Sequence, residues 1–168
     1  MNREGLSPEA KKYVEYIDFH RGNVEKAREL IGDSLCAELH ILPKHLEEVV
    51  SVHDMSRYET EEFDLWRQYK FPDPGKKPDK ELYMVAKRHH WSVNGHHPEH
   101  WINADGTVRP MELVNVAEML CDWTSEVVFE DHKHVKQWYY AQMKKEPYKF
   151  HPDTQHLVER LLAMSFIP

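Results

Sequence analysis

Cysteine is scarce in this chain of 168 residues, with Cys36 and Cys121 as the only two. Both sit in apolar helical pattern, which excludes a disulfide framework and makes a reducing cytosol the expected compartment. No hydrophobic run approaches the ~18 residues that would cross a membrane, so no transmembrane segment is expected. Residues Met1 to Lys12 are polar and lack the apolar stretch of a signal peptide. A basic excess is missing too. The formal net charge is −7, which argues against a broad nucleic-acid surface, since such a surface needs cations to neutralise phosphates. Strand pairing signals and internal repeats are likewise absent. What remains is a soluble globular balance, 40% hydrophobic and 30% charged. The length predicts one domain over residues 1–168, large enough to bury its own core.

Helical signals recur along the chain. Ser7-Pro8-Glu9 reads as an N-cap, a first-turn proline and an acid matched to the helix dipole. Tyr13, Ile17, Val24, Ala27, Leu30 and Ile31 continue the pattern, with Arg21-Gly22-Asn23 a point of kinking or interruption. Pro43 precedes a helix that delivers His53-Asp54 near its end, and a short helix starts around Thr60 to Phe63. Pro72, Pro74, Gly75 and Pro78 mark a loop. Asp79 begins a helix carrying Leu82, Met84, Val85 and Ala86 towards His90, and Asn94-Gly95 breaks it. Residues 103–109 form a loop, and Pro110 opens the most apolar helix, through Leu113, Val116, Leu120 and Trp123. Further helices are predicted from about 131 to 145 and about 152 to 165. The chain reads as all-α, a bundle of six to eight helices.

Histidine is abundant where cysteine is not: five of the 13 lie within residues 89–100, namely His89, His90, His96, His97 and His100. Neutral imidazole is the commonest metal ligand. His20 lies on the first helical segment, His53-Asp54 near the end of the second, and Asp122 on the most apolar helix beside Leu120 and Trp123. A buried aspartate is costly unless a cation or hydrogen bonds compensate it. A metal held by His20, His53, Asp54 and Asp122 would do so. The alternatives are structural: His20 as a hydrogen-bonded interior histidine, Asp122 in a salt bridge to an interior arginine, and His96 and His97 as one ligand and one capping or packing residue. His132, His134, His151 and His156 lie in polar surroundings that suit the surface. Trp91, Trp101, Trp123, Tyr139 and Tyr140 fit core packing better than a base-binding pocket. Cys121 reads as a buried thiol, because nothing near it in sequence is poised to ionise it.

The order His20…His53-Asp54…Asp122 resembles the HD-domain superfamily of metal-dependent phosphohydrolases, which are all-helical. His53-Asp54-Met55-Ser56-Arg57 is similar to the HD-x-G-K stretch of its HD-GYP branch, and His96-His97-Pro98-Glu99 to that branch's His-His-Glu element. A small uncharacterised bacterial and phage family is closer still. It shows His-Asp-x-Ser-Lys, His-x-x-x-Asn-x-His-His-Pro-Glu-x-Trp and Cys-Asp-Trp, which here read His53–Arg57, His90–Trp101 and Cys121–Trp123. The resemblance spans about residues 20–125, with the helices of 131–165 expected to pack on that core. Arg57 stands where a lysine is usual, exchanging a point donor for a fork. No Gly-Tyr-Pro follows the histidine doublet, which speaks against cyclic-dinucleotide hydrolysis.

The resemblance implies hydrolysis of a nucleotide or other small phosphoester by a metal-activated water. It implies one or two divalent ions (Mn, Fe, Co, Ni, Mg or Zn), the second on His90 and His97 or His96, with Asp54 bridging. Arg57 would bind substrate phosphate, with Lys87 and Arg88 weaker candidates. Glu118, one turn before Asp122, would orient a ligand histidine. Two other classes stay open: an HD-type di-iron oxygenase, and a non-catalytic binding protein stabilised by metal. More candidate ligands are present than one closed structural site needs, which favours chemistry.

Overall fold

Ser7 starts the first helix as predicted: its hydroxyl accepts the Ala10 backbone N–H at 3.1 Å, with Pro8 and Glu9 in the first turn. The protein is described by a computed structural model covering residues 3–130 and 134–168. Helix α1 (Pro8–Leu39) runs unbroken through Arg21-Gly22-Asn23, so the interruption read from that triplet does not occur. His20, Asn23 and Val24 are all buried around the glycine. Packing on both sides therefore outweighs the penalty of about 1 kcal/mol for a helical glycine. His40 closes α1 in the left-handed conformation, φ 54°.

Six further helices follow among the described residues: α2 (Pro43–Ser51), α3 (Phe63–Lys70), α4 (Lys80–Val93), α5 (Leu113–Thr124), α6 (Val135–Lys145) and α7 (Pro152–Leu162). The chain is all-α, with one isolated bridge, Ile102 to Val108, across the 103–109 loop. Asp79 caps α4 by accepting the Glu81 and Leu82 N–H groups. Helix α5 begins at Leu113 rather than at Pro110. The buried Met111 donates its N–H to Thr154 Oγ1 at 2.9 Å and holds that segment extended. Helix α5 then runs on into a π-helical turn, Ser125–Glu130. The predicted start of α6 near 131, like His132, falls outside the described residues.

Two hydrophobic clusters organise the interior. The larger joins the second half of α1 (Val24, Ile31, Leu35) to α2, α5, α6 and α7 through Leu46, Leu120, Tyr139 and Leu161. The smaller joins the first half of α1 (Tyr13, Ile17) to Phe63 and Trp66 of α3 and Ala86 of α4. His20 and Asn23 fall between these stretches of α1, so the two clusters meet across a polar seam. Of the apolar residues that mark α4 in the sequence, only Ala86 is buried, while Leu82 and Val85 face solvent. The helix instead turns His90 inward. No helix among the described residues is long and apolar enough to cross a membrane.

Leu120 is wholly buried in the larger cluster. Leu120→Ala should cost about 3–5 kcal/mol by lost transfer energy plus the cavity left behind, measured as a lower urea midpoint at unchanged slope.

Candidate metal centre

Helix α1 supplies His20 from the seam, and Arg21 beside it ties down the next element. Arg21 donates from Nε to the His53 carbonyl and from Nη2 to the Ser51 carbonyl, each at 2.7 Å. This clamp holds the end of α2, which stops at Ser51, so His53 and Asp54 sit in the turn beyond it rather than on the helix. Neighbours on a helix point about 100° apart and cannot share a target. Asp54 at φ 55° reverses the chain, an aspartate being one of the few non-glycine residues that accepts this conformation. The turn brings both side chains into one cavity. Helix α4 adds His90, α5 adds Glu118 and Asp122 on one face, and the break after α4 adds His96 and His97. That break is fixed by Trp101, whose Nε1 donates to the Gly95 carbonyl at 2.8 Å. Asn115 of α5 covers Gly95 so closely that a Cβ there would lie 2.7 Å from its amide nitrogen.

These residues form two neighbouring groups of donors, with Asp54 between them. In one, Asp54, His90, His96 and His97 each offer an atom within 4.8 Å of the others; in the second, His20, His53 and Asp122 do the same. His90 Nε2 and His96 Nε2 lie 3.1 and 3.6 Å from Asp54 Oδ1. In the second group His20 Nε2 lies 3.2 Å from Asp122 Oδ1 and 3.3 Å from His53 Nε2. Asp54 also faces this group, with Oδ2 at 3.6 Å from His20 Nε2. Bonds of about 2.0–2.2 Å to an ion put neighbouring donors roughly 3.0–3.6 Å apart, so the spacing fits metal ligation in both groups. Both histidines of the 96–97 doublet belong to the first group.

The opposite side of each ring is held by a carboxylate. Glu118 Oε1 lies 2.9 Å from His53 Nδ1 and 3.2 Å from His96 Nδ1. Glu62 Oε2 lies 3.0 Å from His90 Nδ1, and its Oε1 lies 2.8 Å from His89 Nδ1. Both glutamates are kept ionised by these imidazoles against the opposing effect of burial, so they can only accept. Each Nδ1 can therefore donate to its glutamate, and once the ring is neutral its Nε2 lone pair is the one left to ligate. This also explains a third close group, His53, His96 and Glu118, as hydrogen bonding rather than a further ion site. Glu118 is thus placed where it could orient His53 and His96. Glu62, wholly buried, is placed likewise for His90 and was not foreseen, because nothing local marks a glutamate 28 residues away.

Arg57 is placed differently from the expectation that it meets substrate phosphate. It is 8% exposed, its Nε lies 2.8 Å from Asp54 Oδ2, and its guanidinium covers the Trp66 ring at 4.7 Å. That is a positioning residue for Asp54. Arg88 is exposed on the outer side of α4, whereas Lys87 lines a cavity that reaches His97. His100 packs on Trp101, His134 and His156 are exposed and His151 is half-buried. Trp101, Trp123 and Tyr139 are core residues. Cys121 is buried, and burial with Glu118 and Asp122 nearby pushes its thiol up, which leaves it unreactive.

Charge explains why so many acids tolerate this interior. Asp54, Asp122, Glu118 and Glu62 face one guanidinium, so protons or cations must make up the balance. Burial opposes charge on His53, but Asp54, Asp122 and Glu118 outweigh it and raise its pKa to about 9. His90 is raised against burial by Asp54 and Glu62. Burial likewise opposes ionisation of Asp54 and Asp122. Arg57, His53 and His90 nevertheless hold Asp54 well below the usual carboxylate range, and His20 and His53 do so for Asp122. Burial and the neighbouring His96 and His90 keep His97 neutral. Both Asp54 oxygens, Asp122 Oδ1, His90 Nε2 and His97 Nε2 are buried without a well-oriented hydrogen bond among the described residues. Such orphaned atoms, all aimed into one space, are what an ion would satisfy.

Two predictions follow from this exchange of protons for metal. Without metal, the protonated His53 contributes stability that is complete below its ordinary 6.5 and lost as pH rises through about 9. The ligands bind an ion only as free bases, so metal binding strengthens over the same interval. Thermal melts with chelator and with manganese, between about pH 6 and 8.5, should show a metal-induced rise in Tm that widens with pH; a gap that narrows would refute the exchange. Glu118→Gln removes the charge that orients two rings and should weaken metal binding about 10–100-fold, read by competition with a chelating dye.

No curated protein and no solved structure matches the chain. Residues 9–164, nearly its whole length, match the model of a family of unknown function (DUF5662), and the chain belongs to that family.

Proposed function

We propose that this chain is a metal-dependent phosphohydrolase of the HD type, acting on a nucleotide or other small phosphoester. The observation that carries the reading is that Asp54 lies against donors of both groups, 3.1 Å from His90 Nε2 and 3.6 Å from His20 Nε2, since paired ions clamp both the attacking and the leaving oxygen of a phosphoryl group. His20, His53, Asp54 and Asp122, the four residues of the HD pattern, come from three separate elements and meet in one place, which supports the resemblance. When bound, divalent ions would supply Lewis acidity to a phosphoryl oxygen and a water ionised near neutral pH. The chain's own part is to hold that chemistry in place. Asp54 would contribute a carboxylate to the ions, Arg57 keeps it ionised, Glu118 and Glu62 orient the imidazoles, and the two hydrophobic clusters flank the centre. Mn, Fe, Co, Ni, Mg and Zn all accept such mixed nitrogen and oxygen donors.

Elemental analysis of untreated protein tests the centre. One or two equivalents of a transition metal should be present and be lost in His53→Ala and Asp54→Ala. The wild type reconstituted with that ion should release phosphate from a panel of nucleotides and phosphomonoesters. Metal-loaded protein that releases none would overturn the hydrolase reading.

One observation favours a second reading. His20, His53 and Asp122 form a two-histidine, one-carboxylate set, the donor set of many iron centres that activate oxygen. An HD-type di-iron oxygenase would show a coupled iron pair by spectroscopy after anaerobic loading. Turnover supported by redox-inert magnesium would exclude it.

A further inference from the structure

A cavity of about 310 Å³ opens beside the metal centre, with His97 in its wall. His97 is therefore common to the candidate centre and to the cavity, and a molecule seated here touches a residue of that centre. Its other walls come from α4 (Lys87 and Trp91), from Glu99 after the histidine doublet, and from Tyr148 and Lys149 between α6 and α7. Helix α4 thus sends His90 towards the centre and the adjacent Trp91 into the cavity.

The lining specifies a ligand. Two aromatic rings offer flat faces, and Tyr148 is held in position by stacking on Trp123 at 5.5 Å between centroids and 17° between planes. The Lys87 ammonium lies 4.8 Å from the Trp91 ring, and Lys149 donates to the Gly106 carbonyl at 2.7 Å, so neither is wholly spare for an anion. Glu99 Oε2 is buried without a hydrogen-bond partner among the described residues and calls for a donor. Glu146 also lines the wall, so two carboxylates offset the two ammonium groups. A polyphosphate tail finds no excess of positive charge here. A single phosphate would instead lie at the His97 end, beside the candidate centre. The volume is at the lower end of the roughly 300–1,000 Å³ of small-molecule sites, which suits one nucleoside and no more.

We propose that this cavity binds the nucleoside of a nucleoside monophosphate, its base against Trp91 and Tyr148, its hydroxyl or amino groups donating to Glu99, and its phosphate at His97. The assignment of such a compound as substrate rests on the hydrolase reading. In that reaction the phosphorus–oxygen bond to the nucleoside breaks and one to the water oxygen forms. The water supplies the proton taken up by the leaving oxygen, and the products are the nucleoside and inorganic phosphate.

The test is calorimetric titration of manganese-loaded full-length protein with the 5′-monophosphates and 5′-triphosphates of adenosine, guanosine, cytidine and uridine, and with inorganic phosphate. At least one monophosphate should bind more tightly than its triphosphate and more tightly than inorganic phosphate. Trp91→Leu should cut the preference for that monophosphate over inorganic phosphate about ten-fold, as loss of one base-stacking face does, with metal content at the wild-type level. Trp91→Phe, which keeps a flat face, should restore most of it. Failure of every monophosphate to bind better than inorganic phosphate would overturn the proposal, as would a preference that survives Trp91→Leu. The two readings fail separately. Monophosphate binding with this variant pattern but no phosphate release under any ion sinks hydrolysis and leaves the cavity assigned. Release from small aliphatic phosphoesters with no monophosphate preference sinks the cavity assignment and leaves hydrolysis standing.

Discussion

Asp54 is 1% exposed and ionised, and imidazole nitrogens surround its oxygens. An uncompensated carboxylate in such a place costs several kcal/mol, so the rest of the centre is arranged around the need to neutralise it. Arg57 supplies one positive charge by the shortest route, from the turn that Asp54 itself begins. The imidazoles supply the remainder, either by holding protons or by presenting lone pairs to a cation. These two ways of balancing charge exclude each other at any one ring. The centre is therefore a place where a metal ion would compete with protons, and its stability and any metal it takes up are tied to the same groups.

The packing makes that competition possible. Two hydrophobic clusters meet on α1 and leave a seam where His20 and Asn23 lie. Helix α5 crosses the seam with Glu118 and Asp122 on one face, and α4 enters from the other side with His90. Glutamates behind the rings fix which nitrogen faces inward, so an ion meets oriented donors instead of freely turning ones. The rings themselves are in contact: His53 and His96 have centroids 4.3 Å apart, and His96 and His97 4.2 Å. A cluster this dense has little slack, so donors for an ion would be in place beforehand.

Much of the ligand set was legible in the sequence, because histidine and aspartate carry their chemistry wherever they are placed. His53-Asp54, His90, the 96–97 doublet and Asp122 stand out against apolar helical pattern. Their partners were less visible. Glu62 sits among other acids in Glu59, Glu61 and Glu62, and only the turn of the chain selects it. Arg57 looked like an anion binder, since a guanidinium near a histidine suggests phosphate, yet burial against Trp66 gives it to Asp54. Tyr148 lies beyond the stretch that resembles the HD proteins, and its place in the same cavity as Trp91 depends on the path of the segment between α6 and α7.

The sequence by itself determined the helical class, the caps at Ser7 and Asp79, the loop rich in proline at 72–78 and the residue types able to hold a metal. These are local matters, set by periodicity, by backbone hydrogen bonding at helix ends and by the lone pairs of side chains. Only the tertiary structure decided that Gly22 leaves α1 intact, that His53 and Asp54 leave the helix and turn into one cavity, and that Asp54 lies against donors of both groups. Those outcomes depend on which surfaces meet. Burial on both sides of a weak helix position, or a carboxylate enclosed by rings from four parts of the chain, is a balance of packing and desolvation that no stretch of sequence contains.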